Sequence, residues 1–203
     1  MLLMENAASA LATCLRARVE ARGARRLLLV AGPGNNGADA LVAGRHLAAL
    51  PGLEVGWTLP GGQPSPGSLG AQALEVLHRL RAEGALLPGP ESPAEADLVV
   101  DGLFGVGLGR ALEGRFAALV DAVNAATAEV VAVDLPSGLD ATSGEILGAA
   151  VRADVTVSFV GPKRGNLVAA GPACTGTLQC ADIGVPRAYA ERWRIAARAR
   201  AGR

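Results

Sequence analysis

The most informative stretch of this chain is Val30-Ala31-Gly32-Pro33-Gly34-Asn35-Asn36-Gly37-Ala38-Asp39. It follows a compact apolar run that predicts a strand, and it precedes a segment that predicts a helix from Ala38 to about Leu50. A glycine-rich turn between a strand and a helix presents unpaired backbone N–H groups, so it is a ready site for an anion. The alternative is a tight turn that joins the two elements and binds nothing.

Two adjacent carboxamides distinguish this turn from a simple phosphate loop. Each amide offers one acceptor oxygen and two donor hydrogens, so Asn35, Asn36 and Asp39 form a polar cluster that can orient a ligand. No Lys-Ser or Lys-Thr follows the glycines, which excludes a Walker A loop. The second predicted strand ends at Leu59-Pro60 without an acid, which argues against a dehydrogenase that holds a ribose there.

The composition is typical of one α/β domain. Half of the 203 residues are hydrophobic and only 3% are aromatic, so the core must consist mainly of Leu, Val and Ala. The formal net charge is zero, and a nucleic-acid surface would need a basic stripe. No segment approaches the ~20 apolar residues of a membrane helix. Three cysteines form no disulfide framework. We therefore expect a cytoplasmic protein with no membrane or nucleic-acid partner.

Strand-like and helix-like segments alternate along the chain, which predicts a Rossmann-like α/β fold of three layers: a mostly parallel central sheet with helices on both faces. We expect one domain over residues 1–190 and an Arg/Ala-rich C-terminal tail or linker over 191–203. The predicted strands are 26–30, 53–59, 97–101, 129–134, 154–160 and a short sixth at 177–181, and the predicted helices are 4–22, 38–50, 68–83 and 113–126.

Three polar turns should meet at the carboxyl edge of this sheet, where ligands of such folds bind. Asp101 and Asp134 each end an apolar strand there. Either acid could cap a neighbouring turn, but two acids in equivalent positions favour a functional role. Asn36, Asp101 and Ser137 would offer one charge and two neutral oxygens, which suits a weakly hydrated monovalent cation better than magnesium.

Five ordered motifs resemble the YjeF N-terminal domain family. They are Leu3-Met4-Glu5-Asn6-Ala7, Gly32-Pro33-Gly34-Asn35-Asn36-Gly37, Val100-Asp101-Gly102-Leu103-Phe104-Gly105-Val106-Gly107, Val133-Asp134-Leu135-Pro136-Ser137-Gly138 and Asp182-Ile183-Gly184-Val185-Pro186. The resemblance implies a Rossmann-like fold. For enzymatic members it implies epimerisation of the R and S forms of hydrated NADH and NADPH (NADHX and NADPHX), which carry a hydroxyl at C6 of the nicotinamide ring.

The resemblance also implies particular site residues and a bound potassium ion (K⁺). Asn36, Asp101 and Ser137 would be the potassium ligands, and Asp134 would be the catalytic residue. Asp134 would protonate the departing hydroxyl and later deprotonate the returning water, with ring opening as an alternative route. Substrate contacts are expected at Asn35, Asn36, Gly37, Ala38, Asp39, Gly105, Val106, Gly107, Leu108, Gly109, Arg110, Ala111 and Asp134.

Two departures from the family pattern bear on activity and assembly. Ala38 and Ala40 replace the usual glycines, and a methyl group at Ala38 could crowd a diphosphate, although alanine suits the first turn of a helix. The chain begins almost at the first motif, so the segment that normally precedes it, which helps dimeric members pair, is expected to be missing or unusually short; the resemblance implies a homodimer as one possible state and leaves the oligomeric state open. Residues 160–165 and 182–186 resemble bifunctional proteins, in which an ADP- or ATP-dependent NAD(P)H-hydrate dehydratase is the functional partner, fused or separate. The competing hypothesis is a non-catalytic dinucleotide-binding or protein-interaction module.

Overall fold

The computed structural model of the protein describes residues 2–186 and Ala188. Within that part of the chain, seven parallel strands form one sheet in the order β3-β2-β1-β4-β5-β6-β7. The expected tail, 191–203, lies outside the described residues. The strands are β1 (Arg26–Ala31), β2 (Glu54–Thr58), β3 (Leu87–Pro88), β4 (Leu98–Gly102), β5 (Glu129–Val133), β6 (Val155–Phe159) and β7 (Thr177–Ala181).

Helices cover both faces of this sheet. The α-helices are α1 (Leu2–Arg22), α2 (Asn35–Leu47), α3 (Leu69–Ala82), α4 (Arg115–Ala125) and α5 (Gly171–Thr175). Helices α1, α2 and α3 pack side by side around the core of one face, which takes Leu27 and Leu29 from β1. Helix α4 packs on the other face, which takes Leu28 and Val30. This alternation follows from the two-residue period of a strand, and it makes β1 apolar on both faces.

The six predicted strands and four predicted helices are confirmed, and the sheet is parallel throughout the described residues. Helix α2 begins at Asn35 rather than at Ala38, because Gly34 precedes it with an extended backbone and the Asn-Asn pair enters the first turn. The prediction missed β3, a two-residue edge strand that pairs with β2, and the short α5. Among the described helices, none has the length and hydropathy needed to cross a membrane.

The strand order places a topological switch point between β1 and β4. The chain leaves β1 toward β2 on one side and returns as β4 on the other, so the turns that follow β1 and β4 diverge and leave a crevice between them. Val30 pairs with Asp101 and Ala31 with Gly102, which brings both turns to the same height. A side chain on Gly32 would overlap the carbonyl oxygen of Leu103, so glycine is required for this close approach.

Candidate active site

The side-chain amide of Asn36 joins the ends of three strands. Asn36 lies in the first turn of α2, directly after β1. Its Nδ2 donates a hydrogen bond of 2.7 Å to the carbonyl oxygen of Val133, the last residue of β5, and one of 3.2 Å to that of Phe104, which follows β4. A side chain on Gly105 would overlap this amide. The predicted convergence of the three turns is therefore observed around one carboxamide.

Asp101 and Ser137 form a second polar junction beneath the first. Asp101, near the end of β4, is 1% exposed. Its carboxylate accepts hydrogen bonds from the Ser137 hydroxyl (2.6 Å), the Ser137 N–H (2.8 Å) and the Leu103 N–H (3.3 Å). Burial raises the pKa of Asp101, and these hydrogen bonds oppose that change. The Ser137 hydroxyl also accepts a hydrogen bond from the Phe104 N–H at 2.8 Å, and its Oγ lies 3.0 Å from the carbonyl oxygen of Phe104. Asn36, Asp101 and Ser137 thus meet around the backbone of Phe104.

The donor set at this junction fits a monovalent cation. Among the ion pairs of the described residues, none involves Asp101, so its buried charge has no basic partner there. Neutral oxygens of Ser137 and Phe104 lie next to it. One carboxylate among neutral oxygens is a weak site for magnesium, which prefers several carboxylates, phosphates and water. No group of three His, Cys, Asp or Glu side chains that could bind a metal occurs in the part described.

Asp134 follows β5 and forms an ion pair that the sequence analysis did not anticipate. Its N–H donates to the carbonyl oxygen of Val157 at 2.8 Å, which anchors the turn to β6. Its Oδ1 accepts from the Phe159 N–H at 3.0 Å, from the Ser158 hydroxyl at 3.3 Å, and from the Lys163 ammonium group. Asp134 is 9% exposed, so the pair is largely shielded from water.

The sequence does contain a sign of the importance of Lys163. It is the only lysine in the chain, because every other basic residue of the Lys/Arg set is an arginine. Its ammonium group also donates to the carbonyl oxygen of Phe159 at 3.0 Å. A lysine is a compact, rotatable point charge, whereas arginine is a planar fork, so the two are not interchangeable in such a pocket. A single lysine just after a strand at the ligand edge is a reasonable sign of function.

The backbone on both sides of this ion pair is strained. Asp134 has φ of 67° and Val160, which follows β6, has φ of 68°. Residues other than glycine rarely adopt this left-handed region, and a β-branched residue such as valine does so least. Each costs about 1–3 kcal/mol, and such residues cluster at active sites, where the surrounding fold holds them. This backbone conformation sets the direction in which the Asp134 side chain extends from the end of β5.

Asp39 lies about one helical turn after Asn36 and is a buried acid. It is 7% exposed, and its Oδ1 is buried with no hydrogen-bond partner among the described residues. Burial, and then the charge of Asp134, raise the pKa of Asp39 to about 7. A carboxyl with that pKa holds its proton in about half of the molecules at neutral pH. The edge therefore contains an acid that is ready to give or take a proton.

The two alanines that depart from the family pattern point away from the ligand edge. The methyl group of Ala38 faces the start of α3, where a Cβ added to Gly70 would lie 3.2 Å from it. Ala40 is fully buried, and a Cβ added to Gly102 of β4 would lie 2.8 Å from its methyl group. Both residues are therefore part of the packing between elements.

The second glycine-rich turn is open to solvent. Val106, Gly107, Gly109, Arg110 and Ala111 are exposed, and Gly105 and Leu108 are half-buried. A Cβ on Gly107 would meet nothing within 4 Å. Helix α4 begins at Arg115 rather than at about Glu113, because Gly114 precedes it with φ of 55°. The residues expected to meet a phosphate are thus loop N–H groups and the Arg110 side chain, several residues before the helix.

A family model and the sequences of similar proteins both relate this chain to one family. The family model described as YjeF-related protein N-terminus matches residues 1–165. The NAD(P)H-hydrate epimerase of Achromobacter xylosoxidans is 43% identical, over 80% of this chain and 76% of that protein. The protein of the same name from Levilactobacillus brevis is 36% identical, over 91% of this chain and 84% of that protein.

Longer relatives and a solved structure extend this comparison. A bifunctional NAD(P)H-hydrate repair enzyme Nnr from Thermofilum pendens is 40% identical over 96% of this chain. The match covers 38% of that protein, so this chain spans little more than a third of such a relative. A crystal structure of yeast YNL200c has a TM-score of 0.74 at 24% identity, and the match covers 95% of this chain and 84% of that one. That likeness bears on the fold alone.

Proposed function

This chain belongs to the YjeF-related protein N-terminus family, and we propose that it interconverts the R and S forms of NADHX and NADPHX. The observation that carries the proposal is the pair of acids at the switch-point edge. Asp134 is anchored to β6 and paired with Lys163, and Asp39 lies close enough for its pKa to respond to the charge of Asp134. The similar proteins that carry the name NAD(P)H-hydrate epimerase support the same activity.

In the route through a planar cation, the C–O bond at C6 breaks and re-forms on the opposite face of the ring. The hydroxyl departs with the electron pair of that bond, and the ring nitrogen stabilises the planar cation that remains. Asp134 would contact the C6 hydroxyl and move its proton, because it is the strand-end acid with a fixed backbone. Ring opening is the alternative route: the C6 hydroxyl would give up its proton as the bond between C6 and the ring nitrogen breaks, the nitrogen would gain a proton, and the reverse steps would close the ring on the other face.

Potassium is the proposed cofactor, held by Asn36, Asp101 and Ser137. When bound, it would supply one positive charge next to the buried Asp101 carboxylate, which has no basic partner among the described residues. Asn36 would connect the bound ion to the first turn, because its amide already donates hydrogen bonds to the backbone after β4 and at the end of β5. The protein's own contribution is to hold three oxygen-bearing side chains at one junction.

The substrate is proposed to lie across both turns. Its diphosphate would meet the open second turn, from Gly105 to Ala111, where loop N–H groups and the exposed Arg110 can contact the negative charge. Its nicotinamide end would face the first turn, from Asn35 to Asp39, and Asp134. The open space at Gly107 supports this orientation, since no atom of the described residues lies within 4 Å of a Cβ added there.

The partners of this activity are proposed from the longer relatives. An ADP- or ATP-dependent NAD(P)H-hydrate dehydratase would consume one epimer, and the bifunctional repair enzymes are similar to this chain over only part of their length. The dehydratase would be fused or separate, and a homodimer remains an expectation, as does a cytoplasmic location. A non-catalytic module is the weaker candidate, because the acids are present and Ala38 faces α3.

The function is tested by R/S interconversion of NADHX, followed by chromatography, with Asp134→Asn as the informative variant. We expect this variant to fold and to bind an adenine nucleotide fragment, but to lose most of the epimerisation above the uncatalysed rate. Loss of a positioned acid or base costs about 10²–10⁴-fold in rate. Asp121→Asn, an exposed carboxylate on α4, is the matched control. Turnover like that of the wild type in Asp134→Asn would remove Asp134 from its role.

A further inference from the structure

We infer that Asp39 is a second catalytic residue at this site: its carboxyl gives the proton to the departing C6 hydroxyl, while Asp134, paired with Lys163, takes the proton of the returning water. The inference rests on the proposed epimerase function and adds a division of the proton transfers between two acids. It is carried by the contrast between their surroundings: one carboxyl is buried without a partner, and the other is tied to an ammonium group.

The surroundings of Asp39 favour its neutral form. The residue is 7% exposed, and Oδ1 is buried with no hydrogen-bond donor among the described residues. An ionised carboxylate without donors is costly to bury, whereas a protonated carboxyl needs only one acceptor and is tolerated. Asp39 also lies three residues after Asn36, on the same face of α2, and the Asn36 amide contacts the backbone at the ends of β4 and β5. Burial and the charge of Asp134 both raise its pKa.

Asp134, in contrast, is surrounded by hydrogen-bond donors. Its Oδ1 accepts from Lys163 Nζ, from the Phe159 N–H and from the Ser158 hydroxyl, and all three are donors to a negative charge. Hydrogen bonds and an opposite charge stabilise the ionised state of a carboxylate. Two nearby acids in which one is held neutral and the other ionised provide a general acid and a general base at the same pH.

Other charged groups around α2 do not alter this contrast. On β4, Asp101 is bonded to Ser137. On α1, Glu5 is paired with Arg45 and His46 at the far end of α2. On α3, Glu75, His78 and Arg79 are exposed, and Arg81 donates to the carbonyl oxygen of Val55. Asp134 is therefore the charge that acts on Asp39, and no basic group of the described ion pairs contacts Asp39.

Asp39 and Asp134 together account for every proton that is transferred in one inversion. The proton of Asp39 joins the departing hydroxyl as the C–O bond breaks, which releases water and leaves a cation stabilised by the ring nitrogen. Water adds to the opposite face, and Asp134 accepts the proton that it loses. The site then holds an ionised Asp39 and a protonated Asp134, and one proton passes between them or exchanges with solvent to restore the resting state. No oxidant or reductant is needed.

The experiment compares the pH profiles of kcat for the wild type, Asp39→Asn and Asp121→Asn in the NADHX and NADPHX interconversion assay. We expect wild-type kcat to fall as pH rises through about 7, because Asp39 then loses the proton that it must donate. Asp39→Asn should lose about a hundredfold or more and show no such fall. Asp121→Asn should match the wild type in both respects, since that carboxylate is exposed on α4.

Two outcomes overturn the inference and leave the proposed function intact. In the first, the wild type is active and Asp39→Asn has the same kcat. In the second, Asp39→Asn has a lower kcat but the same dependence of kcat on pH as the wild type. An inactive wild type would instead contradict the proposed function. If Asp39→Asn does not fold, the carboxyl carbon of Asp39 can be titrated in the wild type by NMR. A midpoint in the ordinary range of aspartate, near 4, would also overturn the inference.

Discussion

Replacing Asp39 with asparagine should stabilise the protein relative to the wild type by an amount that grows as pH rises toward about 7 and is constant above it. Burial, and then the charge of Asp134, raise the pKa of Asp39 from 3.8 to about 7 in the native state. The unfolded chain releases this proton near the ordinary value, so the native state binds more protons across that interval. The stability that protonated Asp39 contributes is therefore fully present below pH 3.8 and is lost as pH rises to about 7.

The size of the effect follows from the shift. Each pKa unit corresponds to about 1.4 kcal/mol, so the whole loss is about 4 kcal/mol, and roughly 2–3 kcal/mol of it falls between pH 5 and pH 8. Asparagine cannot ionise, so Asp39→Asn escapes this loss. For a protein of this size, 1 kcal/mol shifts Tm by about 2–4 °C, which predicts a relative gain of about 5–10 °C over that pH range.

The assay is denaturant or thermal unfolding of both proteins at pH 5, 6, 7 and 8, with potassium held constant. All other titrations are common to both proteins, so the difference between their free energies of unfolding isolates Asp39. Asp121→Asn is the control, because an exposed carboxylate should give a difference that does not change with pH. A constant difference for Asp39→Asn would refute the reasoning, since it would mean that the buried carboxyl titrates alike in the native and unfolded states.

Two further predictions concern the cation and the substrate pose. Potassium should raise the Tm more than sodium at equal ionic strength, because it would bind the native state selectively; Asp101→Asn should remove that difference, and equal stabilisation by both salts in the wild type would contradict a specific site. Gly107→Val should fold normally, since a Cβ there meets nothing within 4 Å, but it should weaken calorimetric binding of an adenine nucleotide fragment. Asn36→Ala should keep fragment binding while it slows turnover and blunts the response to potassium; the opposite pattern for these two variants would reverse the assignment of the turns.

The fold was largely predictable because its strands are apolar and separated by helical spacing. Strand β4 shows the reason: all five of its residues are buried, as expected of a central strand with both faces covered. Strand β3 was not predictable, because Leu87 and Pro88 form only two residues of pairing at the edge of the sheet. Its existence depends on β2 lying beside it, and a Pro/Gly-rich sequence gives no local sign of that.

The side chains of the candidate site could be predicted from the sequence, but the backbone groups that they contact could not. Asn36, Asp101 and Ser137 follow strand ends in the sequence, and parallel strands bring those ends together. The backbone of Phe104, which contacts both Asn36 and Ser137, could not be identified, since a backbone group has no sequence signature. The same holds for Asp39, whose burial depends on how α2 packs against the sheet rather than on its own identity.

The most direct measurement is R/S interconversion of NADHX by the unmodified protein in potassium buffer. A sample enriched in one epimer is incubated with and without protein, and the two forms are separated by chromatography over time. We expect the protein to bring the sample to its equilibrium mixture much faster than the uncatalysed reaction, from either starting epimer, and to do the same for NADPHX. A rate equal to that of the sample without protein, for both substrates, would contradict the proposal that this chain is an epimerase.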